Sequence, residues 1–277
     1  TGTLHNQFGM SWQQCWTIVM VLVGLAMGAF ALWHIRVLPT GEISQMQGQG
    51  VGAAFRSLRD SWISFFKKPS IWMMLTVVFF YRFGEGFIEK LGPIFLLEER
   101  AKGGLGLSNE AMGHINGSVG TIAFIAGAFL GGFLAAKMTL RRSFFILALA
   151  LNIPHLTYFY LSHAMPGDTT WIGLVVTIEK FGFGLGSVGH MLYMMQQIAP
   201  GPFKMTHYAF ATGVMAMTKW VTGWISGPLF KNVFGENYAV FFTFVLFASI
   251  PPVIMAFLAP FPQRGHDEAI QGGAGGH

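Results

Sequence analysis

Arg82, Glu85 and Glu89 stand at i, i+3 and i+7 within an otherwise apolar run, YRFGEGFIEK at 81–90. On a helix turning about 100° per residue they share a sector of about 60°. An arginine and a carboxylate three residues apart can pair and offset part of each other's desolvation, and a carboxylate held away from water can take up a proton. A second stripe repeats the pattern in IEKFGFGLGSVGHMLYMMQQ at 178–197. There Glu179, His190, Tyr193 and Gln197 fall within about 60° of one another, flanked by Gly182 and Gly186. Two readings of Glu179 stand side by side: a proton site, or the partner of Arg82 in a purely structural pair. Glu89 and Lys90 lie near the outer end of their run, where long side chains reach a polar surface.

These groups need elements that hold them in an apolar medium. Charged residues make up 10% of the 277-residue chain, against roughly 25% in soluble domains. Hydrophobic residues supply 53% and the mean hydropathy is +0.52, which predicts a chain that lives in a bilayer. A helix needs about 20 mostly apolar residues to cross the hydrocarbon core. Seven stretches qualify: 12–34, 70–97, 110–138, 143–163, 170–198, 207–231 and 238–260. They are too long for strands and lack period-two alternation, so the fold class is all-α integral membrane with seven transmembrane helices. An ionisable residue near the bilayer centre costs about 2.5–3.5 kcal/mol, so both stripes must face a bundle interior or a wet cavity. A rise of about 1.5 Å per residue from Ser70 puts Arg82 near the midplane, with Glu85 a turn further out and Glu179 at similar depth. His114, Asn116, Asn152, His155, Tyr158 and Lys219 could line a cavity; individually they read rather as interhelical hydrogen-bonding groups and, for Lys219, a snorkelling end. Glycines four apart (24 and 28, 113 and 117, 127 and 131, 182 and 186, 223 and 227) allow close helix approach.

The same residues exclude other classes. The lone cysteine, Cys15, rules out an internal disulfide and a thiolate metal cluster. No serine nucleophile elbow, zinc-type histidine pair or phosphate loop occurs, and GFGLGSVG at 182–189 has no strand before it. No enzyme activity, metal, cofactor or nucleic-acid partner is expected. The lipid bilayer is the evident partner.

Loop charge sets orientation. Arg36, Arg56, Arg59, Lys67 and Lys68 precede the second span; Lys137, Arg141 and Arg142 join spans three and four; Lys204 joins five and six, and Arg264 follows seven. The alternate loops carry the mixed or acidic sets Glu98, Glu99, Arg100 and Lys102, then Asp168, then Lys231 and Glu236. The positive-inside rule puts the first set in the cytoplasm and the N-terminus outside. The connection 35–69 is the longest. It opens with a Gly-rich stretch and continues as AAFRSLRDSWISFFKKP, where Phe55, Leu58, Trp62 and Phe65 or Phe66 recur at helical spacing. That spacing predicts an amphipathic helix on the cytoplasmic surface. Trp12, Trp16, Trp62, Trp72 and Trp171 fit interfacial anchors, and the Gly-rich tail after Pro262 fits a disordered end.

The tract GGFLAAKMTLRR at 131–142 resembles the second-half copy of the cytoplasmic loop motif of the major facilitator superfamily, in which a glycine ends one helix and basic residues follow. The acidic residue usual in that motif is absent, with Ala135 and Ala136 in its neighbourhood. YRFGE at 81–85 and EKFGFGLG at 179–186 are similar to elements of the seventh and tenth helices of AmpG-type muropeptide permeases, and the resemblance extends from about 35 to 260. It implies that 1–34 holds the last helix of an N-terminal half, 35–69 a cytoplasmic linker, 70–260 a six-helix C-terminal half and 261–277 a cytoplasmic tail. The missing half of the same transporter would be a partner, and the chain, which begins at Thr1 without methionine, would be a fragment. The resemblance further implies proton-driven import of an anhydromuropeptide or related amino sugar across the bacterial inner membrane, with the proton gradient as driving force. Arg82, Glu85 and Glu179 would line the polar pathway, joined by His190, Tyr193 and Gln197 from the stripe. Gly84, Gly131, Gly132, Gly184 and Gly186 would serve helix packing and gating, with Lys137, Arg141 and Arg142 in the loop motif. A complete seven-helix receptor or intramembrane enzyme is the alternative, which the long linker disfavours.

Overall fold

The computed structural model describes residue 4 and residues 8–38 and 51–263. The Gly-rich opening of the linker, Arg264 and the tail beyond it lie outside the described residues. The described residues form helices and turns with no strand, in two compact units that meet between Asp60 and Ser61. Six helical segments are long and apolar enough to cross a membrane: Trp12–Val37, Ile71–Leu97, Asn109–Met138, Leu140–Ala164, Thr169–Ile198 and Tyr238–Phe257. The expected span 207–231 forms a helix of 25 residues, Lys204–Pro228. It is long enough to cross, at about 1.5 Å per residue, but is not among those six. Lys204, His207, Lys219 and four threonines dilute its apolar surface, so among the described residues six segments, not seven, meet both conditions.

In the first unit, helix α1 (Trp12–Val37) starts at a capping box in which Ser11 and Gln14 exchange backbone-to-side-chain hydrogen bonds of 3.0 and 3.3 Å. It is apolar all round and buries only Cys15, the pattern of a helix whose surroundings are lipid or other protein. Helix α2 (Val51–Phe66), which runs through the division so that residues 61–66 belong to the second unit, has the amphipathic pattern that its spacing predicts.

From Ser61 onward the second unit is organised around helices that break. The second expected span is two helices, α3 (Ile71–Phe80) and α4 (Phe83–Leu97), interrupted at Tyr81 and Arg82. The span at Leu140–Ala164 is α7 (Leu140–Asn152) and α8 (Leu156–Ala164), separated by a 3-10 turn at Ile153–His155. Pro154 supplies no N–H there, and the Asn152 side chain bonds back to the Ala148 carbonyl at 2.9 Å; both effects interrupt a helix. The last span is α11 (Tyr238–Ala248) and α12 (Ile250–Phe257), broken at Ser249 just ahead of Pro251 and Pro252. Between them, α5 (Asn109–Met112) runs through a π-helical segment, Gly113–Val119, into α6 (Gly120–Met138); α9 is Thr169–Tyr193 and α10 is Lys204–Pro228.

Helix α9 is clasped between α6 and α7 through glycines on α6 and on α9 itself. A methyl group at Gly127 or Gly131 would strike the Phe181 or Leu185 carbonyl oxygen on α9. One at Gly184 would strike the Phe124 carbonyl oxygen, and one at Gly182 or Gly186 the carbonyl oxygens of Ala150 or Leu147. Backbones therefore meet directly, which gives dispersion contact where no hydrophobic effect acts between helices. Other expected packing glycines do not behave this way. Gly132, and also Gly24, Gly28, Gly113, Gly117 and Gly227, would meet nothing within 4 Å. Gly132 is one residue, about 100° of helix, away from the packed face that holds Gly131.

Among the described residues the apolar interior forms two large clusters and a small third one of Ala135, Leu147 and Leu185. The first large cluster holds Phe87, Phe95, Tyr158, Tyr238, Phe241 and Phe242; the second holds Phe65, Tyr81, Phe144, Tyr193 and Ala256. Along each broken span the division falls at the break: Tyr81 against Phe87, Leu151 against Tyr158, Ala256 against Ala248. At the end of α2, Phe65 is buried against Phe210 and His207, with ring centroids 5.3 and 5.5 Å apart. Helix α9 continues into a π-helical segment, Met194–Ile198. Lys68 donates to the carbonyls of Ile198 (2.7 Å) and Pro200 at and just past the end of that segment, where a cation meets the negative end of a helix. Partial burial there holds the Lys68 ammonium below the ordinary lysine range.

A Gly184→Ala substitution is expected to destabilise the chain by about 1–3 kcal/mol, the usual cost of overpacking, whereas Gly132→Ala should leave stability unchanged. Thermal unfolding of the two variants in lipid nanodiscs reads the contrast, and equal midpoints would refute the clasped arrangement.

Candidate functional site

The three breaks converge on one buried hydrogen-bonded chain. Glu85 lies in the first turn of α4, His155 ends the 3-10 turn between α7 and α8, and Ser249 occupies the break before α12. The His155 Nε2 is 3.2 Å from Glu85 Oε2, and its Nδ1 is 2.6 Å from Ser249 Oγ. Ser249 also donates to the Val245 carbonyl at 2.8 Å, so the imidazole accepts nothing from that hydroxyl proton and donates to Ser249 from Nδ1. All three residues are buried. Gly84 makes the meeting possible: a Cβ there would overlap Ser249 Oγ and come within 3.1 Å of the His155 ring.

Beside this chain lies the second carboxylate. Glu179 on α9 is buried, and its Oε2 is 3.0 Å from Lys180 Nζ. That contact is an ion pair without hydrogen-bond geometry, and neither Glu179 oxygen has a hydrogen-bond partner. Glu85 and Glu179 are electrostatic neighbours of each other and of Lys180. Arg82 pairs with neither carboxylate. Its guanidinium carbon sits 4.6 Å from the centroid of the Phe183 ring, a cation–π contact, and its buried Nε has no hydrogen-bond partner. The pairings expected for Arg82, with Glu85 or with Glu179, are therefore both replaced. His155 takes the first carboxylate and Lys180 the second, while Arg82, at the break with φ −116° and ψ 23°, lies outside regular helix geometry.

The structure brings Arg82, Glu85, Glu179 and Gly84 together, and sets the rest of the α9 stripe apart. His190 is buried and stacks on Tyr81 with centroids 4.7 Å apart, while its ring nitrogens lack hydrogen-bond partners of good geometry. Tyr193 donates to the Pro260 carbonyl at 2.9 Å, and Gln197 accepts from the Gln263 amide at 3.1 Å. These two hold the segment that follows α12. They share a face with Glu179 but not a depth: 14 and 18 residues at about 1.5 Å each place them some 21 and 27 Å along the helix. Gly131, Gly184 and Gly186 lie in the clasp around α9. In the loop motif, Lys137 Nζ lies 5.9 Å over the Phe133 ring, and Arg141 and Arg142 are exposed. His155, Ser249 and Lys180 complete the site beyond the stripes.

One face around the site is ionic. Glu89 on α4 pairs with Lys219 on α10 at 2.8 Å, with side chains 38% and 44% exposed. Lys90 lies against Gly223, and Lys180, 22% exposed, lies against Gly120. Charged groups at this depth face protein or water in preference to hydrocarbon.

Broken apolar helices, backbone-to-backbone glycine packing and a buried carboxylate–histidine–serine chain define an α-helical integral membrane protein with a polar centre. No protein-family model matches the chain. Anhydromuropeptide permease of Escherichia coli is 25% identical over 203 residues, 73% of this chain and 38% of the relative. An uncharacterized protein of Haemophilus influenzae is 24% identical over 261 residues, 91% and 57% of the respective chains. Putative transporter AmpG 4 of Rickettsia conorii is 23% identical over 194 residues, 67% and 45%. The chain thus spans between 38% and 57% of the length of these relatives. Its similarity is to permeases and transporters of the AmpG type, at 25% identity or below.

A double-mutant cycle between His155→Phe and Ser249→Ala should show a coupling energy of about 0.6–1.7 kcal/mol, the range of interhelical hydrogen bonds in membranes. Strictly additive effects on unfolding would show that the two breaks are not joined.

Proposed function

We propose that this chain forms part of a secondary active transporter that imports an anhydromuropeptide, or a related amino-sugar oligosaccharide, across the bacterial inner membrane by alternating access, driven by the proton gradient. In this reading residues 70–260 are the six-helix second half of a major facilitator fold, including 207–231 as a span. Residues 1–34 are the last helix of the first half, 35–69 the cytoplasmic linker and 261–277 a cytoplasmic tail. The N-terminus is periplasmic. The observation that carries the reading is the ionic face of α4, α9 and α10, which covers the buried carboxylates and is unsuited to lipid. A first half of the same transporter, facing it across a wet cavity, supplies the surroundings it needs. The relatives' names, permease and transporter, support transport and not catalysis.

The buried carboxylates have distinct parts. Glu85 is held by His155 at the meeting of three broken helices, where a change in its charge alters the contact between helices that must move. Glu179 is buried, pairs with Lys180 and neighbours Glu85, so it can take up a proton when the cavity opens. Gly131, Gly184 and Gly186 let α9 slide against α6 and α7 without interlocking side chains. Lys137, Arg141 and Arg142 hold the α6–α7 turn at the cytoplasmic surface.

Uptake of radiolabelled anhydromuropeptide into proteoliposomes with an inward proton gradient tests this. The native-length protein should accumulate the solute and lose accumulation in the presence of a protonophore. Its Glu179→Gln variant should retain exchange but lose gradient-driven accumulation by at least about tenfold, the loss of roughly 1.4 kcal/mol of coupling. Normal accumulation by Glu179→Gln removes its proton role, and robust uptake by these 277 residues alone removes the half-transporter reading.

A further inference from the structure

Among the described residues, the ionisable groups of the polar centre divide unevenly. The carboxylates of Glu85, Glu89 and Glu179 each have a partner: His155, Lys219 and Lys180. Arg82 has none, although Glu85 lies within electrostatic reach of it. Arginine is charged at every physiological pH, so Arg82 cannot escape an apolar setting by losing its proton. Its buried Nε lacks an acceptor. The Phe183 ring, with its centroid 4.6 Å from the guanidinium carbon, fixes the group in place but supplies no anion. Lys180 precedes Phe183 by three residues on α9, which puts it one turn away on the same face, and its side chain is 22% exposed. Two cations therefore border one stretch of α9, one unpaired and one within reach of the open ionic face.

We infer that Arg82 and Lys180 form a carboxylate-binding subsite, in which an anionic group of the transported solute takes the place that no protein carboxylate fills. This deepens, and rests on, the transporter reading above. A planar guanidinium presents two parallel N–H groups that match a carboxylate, and the ring behind it keeps that fork from collapsing onto Glu85 or Glu179. Lys180 can serve the ligand as a second donor because an ammonium carries three N–H groups, its contact with Glu179 is to one carboxylate oxygen, and its side chain is 22% exposed. The subsite accordingly selects solutes with a free carboxylate, such as the peptide portion of a sugar-linked peptide, over neutral sugars of equal size. Arg82 is a binding residue here and not an internal counter-ion.

The test is binding to the native-length protein in nanodiscs, measured calorimetrically with two matched pairs of probes. One pair is the anhydromuropeptide and its fully methyl-esterified form; the other is N-acetylmuramate and N-acetylglucosamine, which differ by a carboxylate-bearing ether. The charged member should bind about 10- to 100-fold more tightly, the worth of a charge-assisted hydrogen bond. Arg82→Gln should abolish that preference by weakening the charged member far more than the neutral one, and Arg82→Lys should keep part of it. A variant that weakens charged and neutral probes equally, or weakens neither, overturns the subsite, as does a wild type that prefers neither member of either pair. If the anhydromuropeptide pair fails to bind while the smaller pair still shows an Arg82-dependent preference, the subsite stands and the proposed solute falls.

Discussion

The hydrogen bonds from His155 to Glu85 and Ser249 tie together three helices at the points where each loses its regular backbone. A break inside a membrane span frees backbone groups and is tolerated where protein or a wet cavity satisfies them. Here the breaks lie against one another, and one imidazole spans them. The two large apolar clusters fall on either side, so the polar layer separates two well-packed ends of the bundle. Each end can hold its own geometry while the layer between them changes its hydrogen bonds or its hydration. A side chain larger than hydrogen at Gly84 would force this junction apart.

Around that junction, charge is distributed by proximity and not by simple complementarity. Glu85 goes to a histidine, Glu179 to the lysine next to it in sequence, and Arg82 to an aromatic ring. The result is a pair of carboxylates near each other and a cation left without a carboxylate. A protein that only needed stability would gain by pairing Arg82 with Glu85, since an unpaired charge in a desolvated place is costly. Keeping the cation apart leaves it available. The glycine clasp on α9 serves the same arrangement, because α9 carries Glu179, Lys180 and Phe183 and is held by backbone contact on both sides.

The helical class and most span limits are legible in the sequence, because hydropathy over some 20 residues is a long, redundant signal. The Lys204–Pro228 helix is the place where that signal thins. Arg82, Glu85 and Glu179 are also legible as buried ionisable residues, but their partners are not. Ideal helix geometry sets Arg82 beside Glu85; the break at Tyr81 and Arg82 removes that relation. The signal for the junction lies in Pro154 beside His155 and in the Pro251–Pro252 pair after Ser249, each marking a helix interruption beside a polar side chain. Lys180 escapes helical-face reasoning because i and i+1 do not share a face, yet its long stem folds back to Glu179. Tyr193 and Gln197 show the converse limit: angular position says nothing of depth. Gly131 and Gly132 show how sharply one helical step separates a packed face from an open one.

The junction itself is most directly examined by nitrogen-15 NMR of the histidine rings in lipid bilayers, with the His155 signals assigned by a His155→Asn variant. A ring bonded at both nitrogens should give Nδ1 and Nε2 shifts displaced from those of an unbonded neutral imidazole. Glu85→Gln should move the Nε2 resonance and Ser249→Ala the Nδ1 resonance, each leaving the other largely in place. His155 shifts that match a water-exposed imidazole, or that respond to neither substitution, would contradict the joining of the three helix breaks.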